Sequence, residues 1–357
     1  MISSFALTRR EFVGWSAAVV GGTLVSRVAM RIPGQPIGVA VIGLGPRGQI
    51  LLDLLSANPN VSIVALCDPH SERLAQVIAQ RPGLRHFESA DFGTATAVFS
   101  NDAVKAVVIA TDLESRASLT IAACRHQKDV YVEAPLALDS RAVQRVGDIA
   151  ARYGRLVQHG AALVDDTETT ATIRSVASGH IGTVRRVRVI SEQQPVLHGM
   201  DDTWQDAGAR AFEEVEIARR GLGVGRPTHV RLRKNGSLQE RGSVLTADYV
   251  FDDAPDRSLE LLIMRTPTRP GPKTDTPWHG ALSTFVHFDG DRGSLRLSGG
   301  SLDSHSGSRY RSAKEAHLAN FIAAVGDRSS VALVSPVADA VNGCRMIELL
   351  GREGRYA

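Results

Sequence analysis

From Ile37 the chain alternates short apolar runs with helical patterns. Ile37 to Ile42 is apolar, Gln49 to Leu55 sets apolar residues at 50, 51, 54 and 55 on one side of a helix, and Val61 to Cys67 is apolar again: β, α, β. The alternation continues with a strand at Val104 to Ala110, a helix at Glu114 to His126, a strand at Val130 to Val132, a helix at Ser140 to Tyr153, and Arg155 to Gln158. Apolar strands separated by helices predict a doubly wound parallel sheet covered on both faces, with right-handed crossovers.

After about residue 160 the period changes. A helix at Asp166 to Ser178 ends at Gly179, and alternating strands follow at Val184 to Ser191, His229 to Lys234, Val244 to Phe251, Ser258 to Met264, Ser283 to Phe288 and Ser294 to Leu297. A period of two means one packed face and one open face, so this half predicts a large, mostly antiparallel open sheet. Asp289 to Gly293 reads as a hairpin turn, Pro267 to Pro277 as a surface loop, and Ala313 to Val325 and Val337 to Leu350 as closing helices. The expected organisation is a doubly wound α/β domain over 36–158, a second α/β domain over 159–334, and a terminal helical segment over 335–357 packing back on the body. A chain of 357 residues exceeds the usual span of one core, which agrees with this division.

The turn after the first strand carries the clearest chemistry. Gly43-Leu44-Gly45-Pro46-Arg47-Gly48 opens the first helix, and Asp68 ends the second strand 20 residues after Gly48. Gly43 allows a tight turn, Gly45 lets the backbone approach a pyrophosphate, Gly48 lets helix and strand pack, and the helix amino terminus offers N–H groups to phosphate. Asp68 would accept the ribose hydroxyls of NAD, and Arg73 leaves NADP open.

Composition narrows the remaining classes. With 43% hydrophobic and 22% charged residues the chain is an ordinary globular one. Arg9, Arg10, Glu11, Arg27 and Arg31 together carry the whole formal charge of +3, so the rest is neutral and has no drive towards nucleic acid or anionic lipid. Thr8-Arg9-Arg10-Glu11-Phe12-Val13 and the small apolar stretch Gly14 to Val25 read as a twin-arginine export signal within 1–31. That run is too short for stable membrane insertion, which takes about 20 residues, so the expectation is a protein exported to the periplasm already folded. Cys67, Cys124 and Cys344 are odd in number, far apart and in apolar surroundings, so they read as buried small side chains.

These residues resemble the family of glucose-fructose oxidoreductase, inositol dehydrogenase and MocA-type proteins, in its exported branch. The stretches that carry the resemblance are Val41 to Gly48, Val108 to Thr111, Asp129 to Leu136, Ser178 to Val184 and Ala316 to Phe321. The resemblance implies that 36–158 is a dinucleotide-binding Rossmann domain, with a nicotinamide cofactor, a sugar, polyol or sugar-acid substrate between two domains, and a homo-oligomer, dimer or tetramer, formed through the open sheet. It also implies that Thr111, Glu133 and Pro135 border the cofactor. Two departures stand out: the family's Glu-Lys-Pro reads Glu133-Ala134-Pro135, and its aspartate followed four residues on by histidine reads Asp206 and Arg210.

The departures concern a proton. Oxidising a carbinol by hydride transfer needs a group that accepts the hydroxyl proton, with a pKa near the working pH. Alanine does not titrate and guanidinium stays charged. Asp206, with His159 or His198 beside it, is the expected stand-in, and Arg210 with Arg116 would suit an anionic ligand. Three functions stay open: hydride transfer on a sugar-like substrate, a retired relative that binds dinucleotide or sugar without turnover, and redox-neutral glycoside cleavage through transient oxidation. Histidines 180, 229, 279, 287 and 305 show no metal-ligand spacing, so no metal is expected.

Overall fold

A computed structural model of the chain describes residues 35–81, 83, 95–193, 203–236, 242–265, 281–298 and 308–354. The export segment, the loop at 267–277, and His198, His279 and His305 lie outside these residues. β1 (Ile37–Ile42), β2 (Val61–Cys67), β3 (Ala106–Ile109), β4 (Asp129–Glu133) and β5 (Val157–Gly160) pair in parallel in the order β2-β1-β3-β4-β5. The apolar runs forecast this, because a strand covered on both faces has no polar side to show.

Each strand sends alternate side chains to opposite faces. Val39, Val41, Val108 and Tyr131 meet α1 (Pro46–Ser56) and α9 (Ser308–Gly326), while Ala40, Ile42, Val107, Val130 and Val132 meet the cluster that contains α4 (Leu113–Arg125) and α5 (Ser140–Tyr153). Leu318, Phe321 and Ile322 of α9 are at most 3% exposed, so the first sheet is covered partly by chain from near the carboxyl terminus. Each such side chain taken out of water contributes about 1.5–3 kcal/mol.

α5 spans the expected residues, whereas β5 begins two residues later than expected. α2 (Ser71–Ala79) and α3 (Ala95–Ser100) were not anticipated: α2 buries only Val77 and α3 only Val98 and Phe99, too few positions to set a period. The chain leaves this sheet after β5 through a 3-10 turn (Ala162–Val164) and α6 (Thr167–Ala177).

The second sheet has the order β11-β10-β6-β9-β8-β7. It is built from β6 (Val184–Gln193), β7 (His229–Asn235), β8 (Val244–Val250), β9 (Ser258–Arg265), β10 (Ala281–Gly290) and β11 (Ser294–Ser298). All neighbours are antiparallel except β6 and β9. Val187, Val189, Leu261, Ile263, Val286 and Phe288 form the packed face, against α8 (Phe212–Leu222) and α10 (Ala340–Gly354). The opposite face carries Arg186, Arg188, Arg231, Arg233, Asp248 and Glu260, as the period of two required. α7 (Trp204–Arg210) and α8 are separated by Ala211, where the backbone leaves helical geometry, so Asp206 and Glu213 lie on different helices. Among the described residues no helix is long and apolar enough to cross a membrane.

Candidate functional site

The chain from β1 turns towards β2 and the chain from β3 turns the other way, so a crevice opens at the carboxyl ends of β1 and β3, where open α/β sheets place their ligands. The glycine turn lies there. Gly43 has φ +90, and a Cβ on it would sit 2.6 Å from the Ala110 carbonyl oxygen at the end of β3. A Cβ on Gly48 would lie 1.8 Å from the Gly43 oxygen, so this glycine lets α1 close on the turn. A Cβ on Gly45 would meet nothing within 4 Å, which leaves open space in front of the helix. Leu44 is buried beneath the turn. α1 has Pro46 at its start and no side-chain cap, so the N–H groups of its first turn have no partner from a side chain. Open space and uncapped donors at a helix amino terminus fit a pyrophosphate.

Asp68 faces this turn. Its Oδ2 accepts from the Leu44 N–H at 2.8 Å, its Oδ1 from the His70 N–H at 2.9 Å, and Arg73 Nη1 lies 3.2 Å from each oxygen. The Asp68 side chain is 1% exposed and that of Arg73 42%. Thr111 sits just past β3, its hydroxyl accepting from Ser115.

At the end of β4, Glu133 is fully buried and receives cations from two directions. Lys314 of α9 donates to its Oε1 at 2.8 Å, and Arg47 of α1 donates to its Oε2 at 3.4 Å. Burial alone would raise this carboxyl; Lys314 and Arg47 outweigh it and hold Glu133 below the usual carboxylate range. Burial would lower Lys314, but Glu133 prevails and keeps it an ammonium. The Lys314 Nζ also donates to the Gly160 carbonyl at the end of β5 and lies 3.9 Å from Glu213 Oε1. Arg47 in addition donates to the Tyr310 hydroxyl, and its guanidinium lies 5.3 Å from that ring's centroid. The Ala134-Pro135 bond is cis, Pro135 is buried, and Ala134 is half-buried.

Contacts within the fold engage the proton-handling residues expected from sequence. Asp206 closes a capping box: its Oδ2 accepts from the Thr203 N–H and hydroxyl at 2.9 and 2.6 Å. Arg210 Nε donates to Gln193 Oε1 at 3.0 Å. His159 is 2% exposed, packed edge-on against Phe212 with ring centroids 5.2 Å apart; burial, and next Lys314, lower it to about 3, so the ring is neutral and a feeble base. Arg116 does not face the crevice as an anion receptor. It is buried and donates to the Thr111, Pro135 and Glu133 carbonyls at 2.9, 2.8 and 3.4 Å, tying the ends of β3 and β4 together. A buried guanidinium needs such acceptors, and backbone oxygens at strand ends supply them.

Sequence reasoning did not place Tyr310, Lys314, Glu213 or Glu214 at the site. Tyr310, Lys314, His317, Phe321 follow helical spacing along one stripe of α9, so a lysine at a stripe position was the available signal. Glu213 and Glu214 stand in the first turn of α8, both buried. Cys67, Cys124 and Cys344 are buried and free, and no cluster of metal-ligating groups occurs among the described residues.

Residues 37–161 match the model of a family described as "Oxidoreductase family, NAD-binding Rossmann fold". Among curated relatives, a "Glycosyl hydrolase family 109 protein" of Stenotrophomonas maltophilia is 32% identical over 125 residues, 33% of this chain and 28% of that protein. An "Inositol 2-dehydrogenase" of Rubrobacter xylanophilus is 30% identical over 192 residues, 53% of each chain. The chain thus spans about half, or less, of the length of these relatives. Among solved structures, scyllo-inositol dehydrogenase from Lactobacillus casei with bound NAD(H) and scyllo-inositol superposes at TM-score 0.71 and 14% identity, covering 90% of this chain and 98% of that one. GenD2 from gentamicin A biosynthesis in complex with NAD superposes at TM-score 0.68 and 20% identity, covering 93% and 97%. At these identities the likeness establishes the fold.

Proposed function

We propose, on the match of residues 37–161 to the oxidoreductase family of NAD-binding Rossmann fold, that the chain exchanges hydride between a nicotinamide dinucleotide and a carbinol of a sugar, polyol or sugar acid. The observation that carries this reading is the open space over Gly45 at an uncapped helix start, with Asp68 on the same turn. The backbone N–H groups of α1 would hold the pyrophosphate, and Asp68 the adenosine ribose. Bound there, a nicotinamide supplies hydride exchange at a substrate carbon. Arg47, Glu133 and Lys314 then form the polar floor at the carboxyl end of the sheet, where the substrate would lie. The inositol dehydrogenase and glycosyl hydrolase names of the relatives support a polyhydroxylated substrate. Export by the twin-arginine segment and assembly of two or four copies through the open face of the second sheet complete the proposal.

Ala134 and Arg210 favour a second reading, in which the chain binds dinucleotide without turnover. One experiment separates the two. The purified chain is titrated with NADH, then NAD with a panel of sugars, polyols and sugar acids is followed by absorbance. Saturable binding with substrate-dependent reduction supports hydride transfer. Saturable binding without reduction, and activity appearing in Ala134→Lys/Arg210→His, supports the second reading, and absence of binding refutes both.

A further inference from the structure

Three cations stand at the carboxyl end of the first sheet, and they differ in what they can reach. The Lys314 side chain is wholly buried, and Arg116 is buried with its hydrogen bonds all going to backbone carbonyls. The Arg47 side chain keeps 23% of its surface open. Its Nη1 donates to Glu133 and to the Tyr310 hydroxyl, whereas its Nε and Nη2 have no hydrogen-bond partner among the described residues. A guanidinium carries five N–H donors, so the three along that edge of the fork are left for a ligand. Arg116 and Arg210, the cations expected from sequence to receive an anion, are both engaged within the fold.

Arg47 belongs to the first turn of α1, beside the space that fits a pyrophosphate, but its guanidinium is held elsewhere. Glu133 fixes it at the end of β4, two strands from β1 in the order β1-β3-β4. Neighbouring strands lie about 4.8 Å apart, so the end of β4 is about 10 Å across the sheet from the end of β1. The open edge of the fork is thereby drawn away from the phosphates towards the floor where a substrate would lie. That floor has a surplus of positive charge. Lys314 and Arg47 share one carboxylate, Glu133, and Arg116 has no carboxylate partner among the described residues. Glu213 lies 3.9 Å from Lys314, and burial raises both Glu213 and Glu214 towards the neutral form.

We propose that Arg47 anchors a carboxylate of the substrate, which makes the substrate of this site a sugar acid and not a neutral sugar or polyol. The assignment rests on the hydride-transfer reading above and narrows its substrate class. A guanidinium edge and a carboxylate match in shape, and two parallel N–H···O bonds join them. Glu133 and Tyr310 already hold the other edge of the fork, so little side-chain freedom is lost when an acid binds. A hydroxyl offers the fork an uncharged acceptor and leaves the surplus charge in place.

The test uses the full chain as wild type, Arg47→Met and Arg47→Lys, with two acids and their neutral counterparts: D-galacturonate against D-galactose, and D-gluconate against D-glucitol. With NAD, wild-type kcat/KM for each acid should exceed that for its counterpart by about 10-fold to 100-fold, the worth of a charge-assisted hydrogen bond. Arg47→Met should lose that preference, chiefly through KM, while ADP-ribose and NADH bind it as they bind the wild type. Arg47→Lys keeps the charge without the fork and should retain part of the preference, and it decides the matter if Arg47→Met does not fold. A wild type that binds NADH but turns over neither acid, or turns over the neutral counterparts as well, overturns the assignment alone. So does either variant with the full wild-type preference, or a loss of ADP-ribose affinity as large as the loss for the acids, which would make Arg47 a phosphate ligand. Failure of the wild type to bind NADH overturns the parent reading with it.

Discussion

Lys314 Nζ lies 2.8 Å from Glu133 Oε1 with both side chains wholly excluded from water, joining the last third of the chain to the end of a strand 181 residues earlier. A pair so buried is costly to break, because the survivor keeps its charge without its solvent or its partner. Lys314→Met should therefore destabilise the protein by about 3 kcal/mol or more, and Lys314→Met/Glu133→Gln by less than the single change. The pH dependence follows from the two shifts. Lys314 is raised, so its contribution is complete below the unfolded lysine value of about 10.4 and is lost as pH rises through its folded value. Glu133 is lowered, so its contribution is complete above about 4.3 and is lost as pH falls through its folded value. Urea unfolding at neutral and acid pH should show the gap between wild type and Lys314→Met narrowing in acid.

The glycine turn separates packing from binding. A Cβ at position 48 meets backbone at 1.8 Å, and one at position 45 meets nothing, with an ordinary φ of −62. Gly48→Ala should cost about 1–3 kcal/mol by overpacking, as measured by denaturant unfolding. Gly45→Val should leave that curve nearly unchanged and abolish saturable NADH fluorescence. Equal stability losses in both would show that the space over Gly45 is not where phosphate goes.

Arg73 stands on the carboxylate that would meet the adenosine ribose. Its guanidinium covers both oxygens of Asp68, whose remaining acceptor capacity goes to Leu44 and His70 N–H groups. A ribose diol must displace Arg73 to reach Asp68, whereas a 2′-phosphate can pair with the displaced cation. Arg73→Ala should weaken NADP by about tenfold or more, the worth of a charge-assisted hydrogen bond, and tighten NAD. Parallel fluorescence titrations with NADH and NADPH measure both, and unchanged NADPH affinity would remove Arg73 from the site.

Asp206 caps α7 through Thr203, and a cap of this kind is worth about 1 kcal/mol. Thr203→Ala and Asp206→Asn should then lower thermal stability to a similar degree. If kcat falls in Asp206→Asn and stays level in Thr203→Ala, Asp206 has a task besides capping; equal kcat values confine it to the cap.

The local parts of this architecture were legible because they repeat. Apolar runs announced β1 to β4, the period of two announced the second sheet, and Gly43, Gly45, Gly48 and Asp68 stood at the spacing a dinucleotide turn needs. The buried charges were not legible. Arg116 read as a cation for an anionic ligand, whereas strand-end carbonyls engage it, and nothing in periodicity pairs residue 314 with residue 133. Contacts between residues far apart in sequence decide protonation, and patterns along the chain carry no record of them.

α9 supplies Leu318, Phe321 and Ile322 to the sheet that begins at Ile37. During synthesis the strands of that sheet emerge first yet must wait for the far end of the chain before one face is sealed. The nucleotide crevice therefore matures late, once nearly the whole polypeptide has left the ribosome, and a fragment ending at residue 161 would expose a bare apolar wall.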